Sequence, residues 1–329
     1  MGTQMLVPAE ANRGDSAVAL SPRRAVPTRT PRVQAARYII SGAAHWRRVT
    51  NALPVAELCR AALMGIYGTL YPQHDGSRGR SAVFSGKDQA GIPLSGHSHA
   101  FYLPTDEDGD ALLDHITVYA AGGFDAAHQA ALGGLSFLRL PQAGDYLELT
   151  LANIGIAAEM NAGPLARSDL WQSATPYVAT RFARTRGRGR ANSPADFLIS
   201  DLLGQATGFC QRCLGAEVKS VAPMLRDGEF CHPAPGGAAA GEYIRSRLRR
   251  ADNGGLRYCG YFLLRFARAV SGPVALGHNA HYGMGMFLPV GAGGVSPGTG
   301  WSNDVAQQPG GHEDANAGSM PLQGVLKNV

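Results

Sequence analysis

Apolar segments of two different periods follow one another in a definite order, and this order limits the fold more than any other feature of the sequence. Some segments alternate as strands do, and others place apolar residues on one helical face. In the first half, the predicted elements are strand 37–42, helix 55–67, strands 99–103 and 115–119 around an acidic turn, helix 124–135 and strand 146–151. The order β-α-β-β-α-β predicts a ferredoxin-like unit.

The second half repeats this order less completely. Its predicted elements are strand 177–181, helix 194–205, strands 218–222 and 258–266, and a closing strand 285–289. We therefore expect an α+β protein with tandem ferredoxin-like (RRM-like) βαββαβ domains. The expected boundaries are an irregular or disordered segment 1–35, a first domain 36–165, a second domain 166–290 with a glycine-rich loop, and a disordered tail 291–329.

The composition is that of a globular protein with a real core. The chain has 329 residues, 45% of them apolar, and a formal charge of +5 in which arginine far outweighs lysine. Five cysteines are too few and too scattered for a disulfide framework. Since we find neither a signal peptide nor an apolar run of membrane-spanning length, we expect a cytoplasmic protein without a membrane partner.

A glycine-dense turn lies in residues 272–287, after the last strong strand. Glycines at such a density allow the backbone to approach a bulky ligand closely, and a phosphate-bearing ligand is the natural candidate. The turn contains Gly277, Gly283 and Gly285, and His281 lies within it.

Two histidines, His97 and His99, precede the first hairpin strand. Two positions apart in an extended segment, they point to the same face. A histidine titrates near neutral pH and can take a proton from a ribose hydroxyl or give one to a leaving oxygen. The alternatives are a polar rim to a strand, or a metal pair that lacks its other ligands.

A run of five arginines without an acid lies between residues 181 and 190: Arg181, Arg184, Arg186, Arg188 and Arg190. Their mutual repulsion would be relieved by a polyanion, which favours a flexible clamp on a nucleic-acid backbone. A solvated loop is the alternative. Lys87 is a weaker candidate for the same kind of contact.

Two further patterns imitate metal sites. The acidic turn from Asp106 places acids at alternate positions, but Ala111 and Thr117 stand where a calcium loop needs glycine and glutamate. A hairpin turn is the preferred interpretation, with a chance cation as the minor one. Cys210, Cys213, Cys231 and His232 have the number of ligands that zinc needs. We favour unligated thiols, and no cofactor is expected.

Several segments together resemble the repeat-processing endoribonucleases of CRISPR systems, in particular the type I-U (I-G) family. The resemblance is carried by the segments 53–64, 93–110, 114–124, 171–177 and 272–287. Its most specific part is Gly-His-Ser-His-Ala-Phe-Tyr-Leu-Pro at 96–104. The N-terminal half akin to a backbone subunit, which is usual in that family, is not found in this sequence.

The resemblance implies a metal-independent endoribonuclease that cleaves CRISPR repeat RNA into guide RNA. It implies attack by the 2′-hydroxyl, with His97 or His99 in the active site. It also implies that Gly277, Gly283 and Gly285 of the glycine-rich loop contact the RNA, and that His281 contacts RNA or shares in catalysis. The expected partners are the repeat stem-loop and other subunits of a type I surveillance complex. A non-cleaving subunit that binds the RNA hairpin, or a metal-dependent hydrolase that uses the acidic turn, are the alternatives.

Overall fold

The computed structural model describes residues 32–290 except 143, 184–192, 235 and 249–251. The predicted irregular ends therefore lie outside the described residues apart from 32–35, and Ala35 begins the first strand. The described chain forms two antiparallel five-stranded sheets with helices, which makes it an α+β protein.

The first sheet has the strand order β2-β3-β1-β5-β4. Its strands and the helices between them are β1 Ala35–Gly42, α1 Ala52–Leu70, α2 Ala82–Ser85, β2 Phe101–Thr105, β3 His115–Tyr119, α3 Ala126–Gly133, β4 Phe137–Arg139, β5 Tyr146–Gly155 and α4 Ala157–Met160. The predicted hairpin is confirmed, because β2 and β3 pair antiparallel from Phe101 with Tyr119 to Thr105 with His115. The neighbours of β1 are β3 and β5, as a ferredoxin-like unit requires.

The second sheet has the order β13-β14-β6-β12-β8. The elements of this half are β6 Arg167–Ser173, β7 Tyr177–Val178, α5 Pro194–Phe209, β8 Val218–Pro223, β9 Leu225–Arg226, β10 Glu229–Phe230, β11 Cys259–Gly260, β12 Phe262–Ser271, β13 Val274–Ala275 and β14 Met286–Pro289. Strand β6 lies between β12 and β14, so the order is consistent with a second ferredoxin-like unit. Residues 272–285, all described, hold one 3-10 turn, Ala280–Tyr282, where such a unit has its second helix.

Two strand predictions in this half are wrong. The unit begins with β6, whereas residues 177–181, predicted as its first strand, contain only the short β7, which pairs with β11. Strand β6 escapes detection because only its last three residues are buried, and one of these is Ser173, whose hydroxyl accepts the backbone N–H of Phe262. The predicted strand 258–266 is divided into β11 and β12 at the buried Tyr261.

The first hairpin strand begins two residues later than predicted. Since β2 starts at Phe101, both His97 and His99 lie in the loop before it. This loop is free of ladder pairing and can place both rings against the other half of the molecule.

Each sheet has its own core, and smaller clusters join the two halves. One joining cluster contains Leu53 of α1, Val178, Tyr261 and Met284, and another contains Phe101, Ala275 and Met286. An ion pair between the buried Glu57 and Arg247 adds to the junction, with 3.1 Å between Oε1 and Nε.

Helix α1 with its preceding turn, Val49–Leu70, corrects one expectation. The sequence patterns predict no run of membrane-spanning length, yet this segment is long and apolar enough to cross a membrane by length and composition, with a mean hydropathy of 1.2. Half of it is buried inside the protein, and Val55, Cys59 and Leu63 belong to the first core. These contacts are typical of the core helix of a globular domain.

Candidate active site

Two histidine rings stack at the junction of the two halves, and a third lies beside one of them in nearly the same plane. The ring of His281, in the 3-10 turn of the second half, lies parallel to His99 with 4.0 Å between centroids and to His97 with 5.4 Å. The side chain of Phe101 stacks on His281 at 3.7 Å. His97 and His99 are neighbours in the sequence, and the structure adds His281, which is 184 positions away from His97.

The hydrogen bonds of the cluster fix where its protons lie. Nδ1 of His281 is 3.1 Å from the carbonyl oxygen of Ala100, and because a carbonyl only accepts, this nitrogen carries hydrogen. In the neutral ring Nε2 is then an acceptor, and it lies 3.2 Å from Nδ1 of His97. His97 must therefore donate from Nδ1. Its second nitrogen, Nε2, has no hydrogen-bond partner among the described residues and keeps its lone pair, on a side chain that is only partly buried.

Burial keeps the rings neutral. It lowers the pKa of His281 from 6.5 to about 3, with a smaller contribution from His99. The pKa of His97 is also lowered, mainly by burial and then by the charge of Arg212. Neutral rings at pH 7 match the hydrogen-bond assignment, because a protonated His281 could not accept from His97.

Residues of the second half complete the surroundings of His97. Phe209, at the end of α5, meets the His97 ring edge to face at 4.9 Å. Arg212 follows in the π-helical turn Cys210–Leu214 and brings a positive charge to the histidine. The candidate site thus combines a neutral base with a cation, an arrangement suited to moving a proton beside a phosphate.

His99 has a more enclosed position than His97. A Cβ atom at Gly86 would lie 2.9 Å from the His99 ring, so only glycine leaves room for it there. Nδ1 of His99 is buried without a hydrogen-bond partner among the described residues. Burial lowers its pKa first, then the charges of His97 and Arg60. Lys87 follows Gly86 directly and is half-buried beside this contact.

The predicted glycines shape the turn that carries His281. Gly283 and Gly285 are buried with φ of +75° and +57°, and their N–H groups donate to the carbonyls of Ala280 and Pro176. Gly277 contacts Tyr177 and Val178. The glycines therefore allow the compact backbone conformation of the turn. Their contact with RNA stays a prediction.

Of the arginine run, only Arg181 is in the described residues; Arg184, Arg186, Arg188 and Arg190 lie outside them. Nε of Arg181 donates to the buried Asp201 at 2.6 Å, while the side chain stays 61% exposed. The Nε edge of this guanidinium is bound to Asp201 within the protein, and the remainder of the group can bind an anion.

Among the described residues, a group of possible metal ligands is formed by the acids Asp106, Asp108 and Asp114, whose donor atoms lie within 4.8 Å of one another. The cluster histidines belong to no such group in the described part of the chain. The four zinc-ligand candidates form none there either: Cys210 is buried in the second core, while Cys213 is exposed. The acidic turn is held by its own backbone, since Asp106 accepts the N–H groups of Gly109 and Ala111.

The sequence alone assigns no role to four further residues of this site, which are Phe101, Phe209, Arg60 and Arg212, although Phe101 and Arg60 lie in segments that carry the family resemblance. Each is an ordinary core or surface residue in its own segment. A single signal pointed to His281, namely its position inside the glycine-dense turn.

Comparisons with known proteins give a likeness only at the level of coarse fold. No protein-family model matches the sequence, and no curated protein matches it. Two solved structures resemble it at 14% identity: a Cas6 product complex, with a TM-score of 0.33 over 79% of this chain and 100% of that one, and Csf5, a CRISPR-Cas type IV Cas6 crRNA endonuclease, with a TM-score of 0.30 over 78% and 99%.

Proposed function

We propose that this chain is a metal-independent endoribonuclease that cleaves CRISPR repeat RNA to give mature guide RNA. The observation that carries the proposal is the hydrogen-bonded pair of His97 and His281, which leaves Nε2 of His97 as an unprotonated base beside the charge of Arg212. The substrate class comes from the sequence resemblance to the type I-U family. We place the activity in the cytoplasm, together with other subunits of a type I surveillance complex.

The proposed step uses the substrate's own nucleophile. The 2′-oxygen beside the scissile phosphate bonds to phosphorus while its proton passes to Nε2 of His97. The bond to the 5′-oxygen breaks, and that oxygen takes a proton from solvent water, while His97 later returns its own proton to the solvent. The products are a 2′,3′-cyclic phosphate and a 5′-hydroxyl. The protein positions the groups, moves protons and offsets charge, and these contributions need no metal ion.

The structure favours different roles for the three histidines. His97 is exposed and can accept a proton at Nε2 without losing its bond to His281. His281 acts as a positioning residue, because its Nε2 selects the tautomer of His97. His99 packs between Gly86 and His281 and supports the stack.

The test is cleavage of repeat RNA in EDTA, with both product ends mapped. We expect His97→Ala to slow cleavage by roughly 10²–10⁴-fold, the usual contribution of a general base, with unchanged affinity for an RNA that carries a 2′-deoxy group at the scissile position. His281→Ala should lower kcat more than it changes KM. The double variant should be no slower than His97→Ala alone, because the two residues act as a unit.

The control is His74→Ala, which removes an exposed histidine. Full activity of His97→Ala would overturn the site. Tight binding without a cyclic-phosphate product in the wild type would favour the non-cleaving hairpin-binding subunit, and abolition of cleavage by EDTA would favour the metal-dependent hydrolase.

A further inference from the structure

A second exposed surface of the molecule combines arginine and aromatic side chains. We call it the aromatic platform and define it by Arg181, Phe182, Phe197, Arg257 and Tyr258. Phe182 and Tyr258 are 52% and 46% exposed. The histidine cluster includes none of these residues.

The aromatic platform holds the ring of Phe182 in a fixed position. The guanidinium of Arg257 lies over Phe182 at 4.4 Å from the ring centroid. Arg257 is itself fixed, since it donates to the carbonyls of Ala179 and Thr180 and to Oδ1 of Asn253. One side of the Phe182 ring is thus covered by a cation while about half of the residue stays exposed.

A second aromatic pair extends the surface. Phe197, in the first turns of α5, meets Tyr258 edge to face at 5.8 Å, and the guanidinium of Arg181 lies 6.0 Å from the Phe197 ring. The acids nearby among the described residues include Asp201, which is buried and bound to Arg181, and the exposed Asp196. Asp252, next to the Asn253 that Arg257 binds, is partly buried and accepts hydrogen bonds from Gly254 and Asn279. The charge of the exposed groups is therefore mainly positive.

We propose that the aromatic platform binds unpaired nucleotides of an RNA by stacking bases on Phe182 and Tyr258, with Arg181 on the phosphates. Exposed rings beside arginines suit single strands, because only an unpaired base offers a free face for stacking. Positive charge complements the RNA backbone, and the sequence continues from Phe182 into four further arginines at 184–190.

Helix α5 relates the platform to the candidate active site. Phe197 lies near its start and Phe209, which contacts His97, is its last residue. Twelve helical steps separate them by about 18 Å along the axis. Given the proposed function, a strand leaving the site along α5 would reach the platform after a few nucleotides, so the platform binds the single-stranded flank of the hairpin.

The experiment measures binding with 2-aminopurine in RNA. The probes are a 2′-deoxy repeat hairpin with a single-stranded flank, the same hairpin without it, and a free oligoadenylate of about eight nucleotides. We expect Phe182→Ala to weaken binding of the flanked hairpin and of the oligoadenylate by roughly 5- to 150-fold, and to abolish fluorescence quenching in the flank. Phe182→Trp should restore both.

Phe137→Ala is the matched control, because Phe137 is 45% exposed and also has a guanidinium, that of Arg139, near its ring. It should change neither signal. The inference is overturned if Phe182→Ala behaves as Phe137→Ala does, as it would on a surface for a protein partner, or if it weakens the unflanked hairpin equally. The oligoadenylate requires no cleavage, so its result separates this inference from the proposed function.

Discussion

The chemistry of the candidate site depends on the position of single protons. The carbonyl of Ala100 holds hydrogen on Nδ1 of His281, and this sets His281 as the acceptor for His97. A phenylalanine in place of His281 would keep the stacking on Phe101 and remove the acceptor. Stacking against His99 and Phe101 positions the His281 ring, and the hydrogen bonds determine the tautomers of His97 and His281.

The lowered pKa of His97 predicts the pH dependence of cleavage. The base must be neutral, so the rate should rise with pH through the pKa of His97 and level off above it, with its midpoint below 6.5. Arg212→Gln removes a positive charge that lowers this pKa. The midpoint should therefore move to higher pH, as measured by single-turnover rates.

Arg139→Gln is the control for this shift, because it removes a charge from the edge strand β4. It should leave the midpoint unchanged. A midpoint that stays in place or moves to lower pH in Arg212→Gln would contradict the assignment of His97 as the base.

At the scale of elements, the glycine-dense turn replaces the helix that would otherwise join β12 to the last strands. Its conformation depends on close backbone packing: a Cβ at Gly285 would lie 1.9 Å from the carbonyl oxygen of Leu276, at a φ of +57°. This turn carries His281, so its stability and the geometry of the site are linked.

We therefore predict that Gly285→Ala destabilises the protein by about 1–3 kcal/mol or more, from backbone strain and the clash with Leu276. Gly204→Ala is the matched control: this exposed glycine lies inside α5 with no atom within 4 Å of an added Cβ. It should stabilise by about 0.5–1 kcal/mol. Urea unfolding measures both, and equal effects would refute the structural role of the turn.

Sequence patterns predict the elements whose burial is regular. Strand β3 and helix α5 begin where expected. Strand β3 has a buried centre, and α5 begins at Pro194 after the N-cap residue Ser193, whose side chain accepts the N–H of Asp196. Strand β6 is not predicted because its first half is polar. The grouping of His281 with His97 could not be predicted, since it arises from the packing of two sheets.

For the whole molecule, the arginine run predicts the salt dependence of RNA binding. Replacing Arg184, Arg186, Arg188 and Arg190 by glutamine should make the slope of log K against log salt less steep by up to about 3–4, close to 0.9 for each duplex phosphate that an arginine no longer neutralises. Titration of the 2′-deoxy hairpin at several salt concentrations measures this slope. An unchanged slope would show that the run is a solvated loop.

The junction between the halves has a consequence for synthesis of the protein. The chain leaves the ribosome from its N-terminus, so the loop with His97 is made long before the turn with His281. Until that turn has docked, His97 lacks the hydrogen-bond acceptor that fixes its tautomer. A partly synthesised chain therefore has no oriented general base. Under the proposed function, the nascent enzyme does not cleave cellular RNA until nearly the whole of the second sheet has formed.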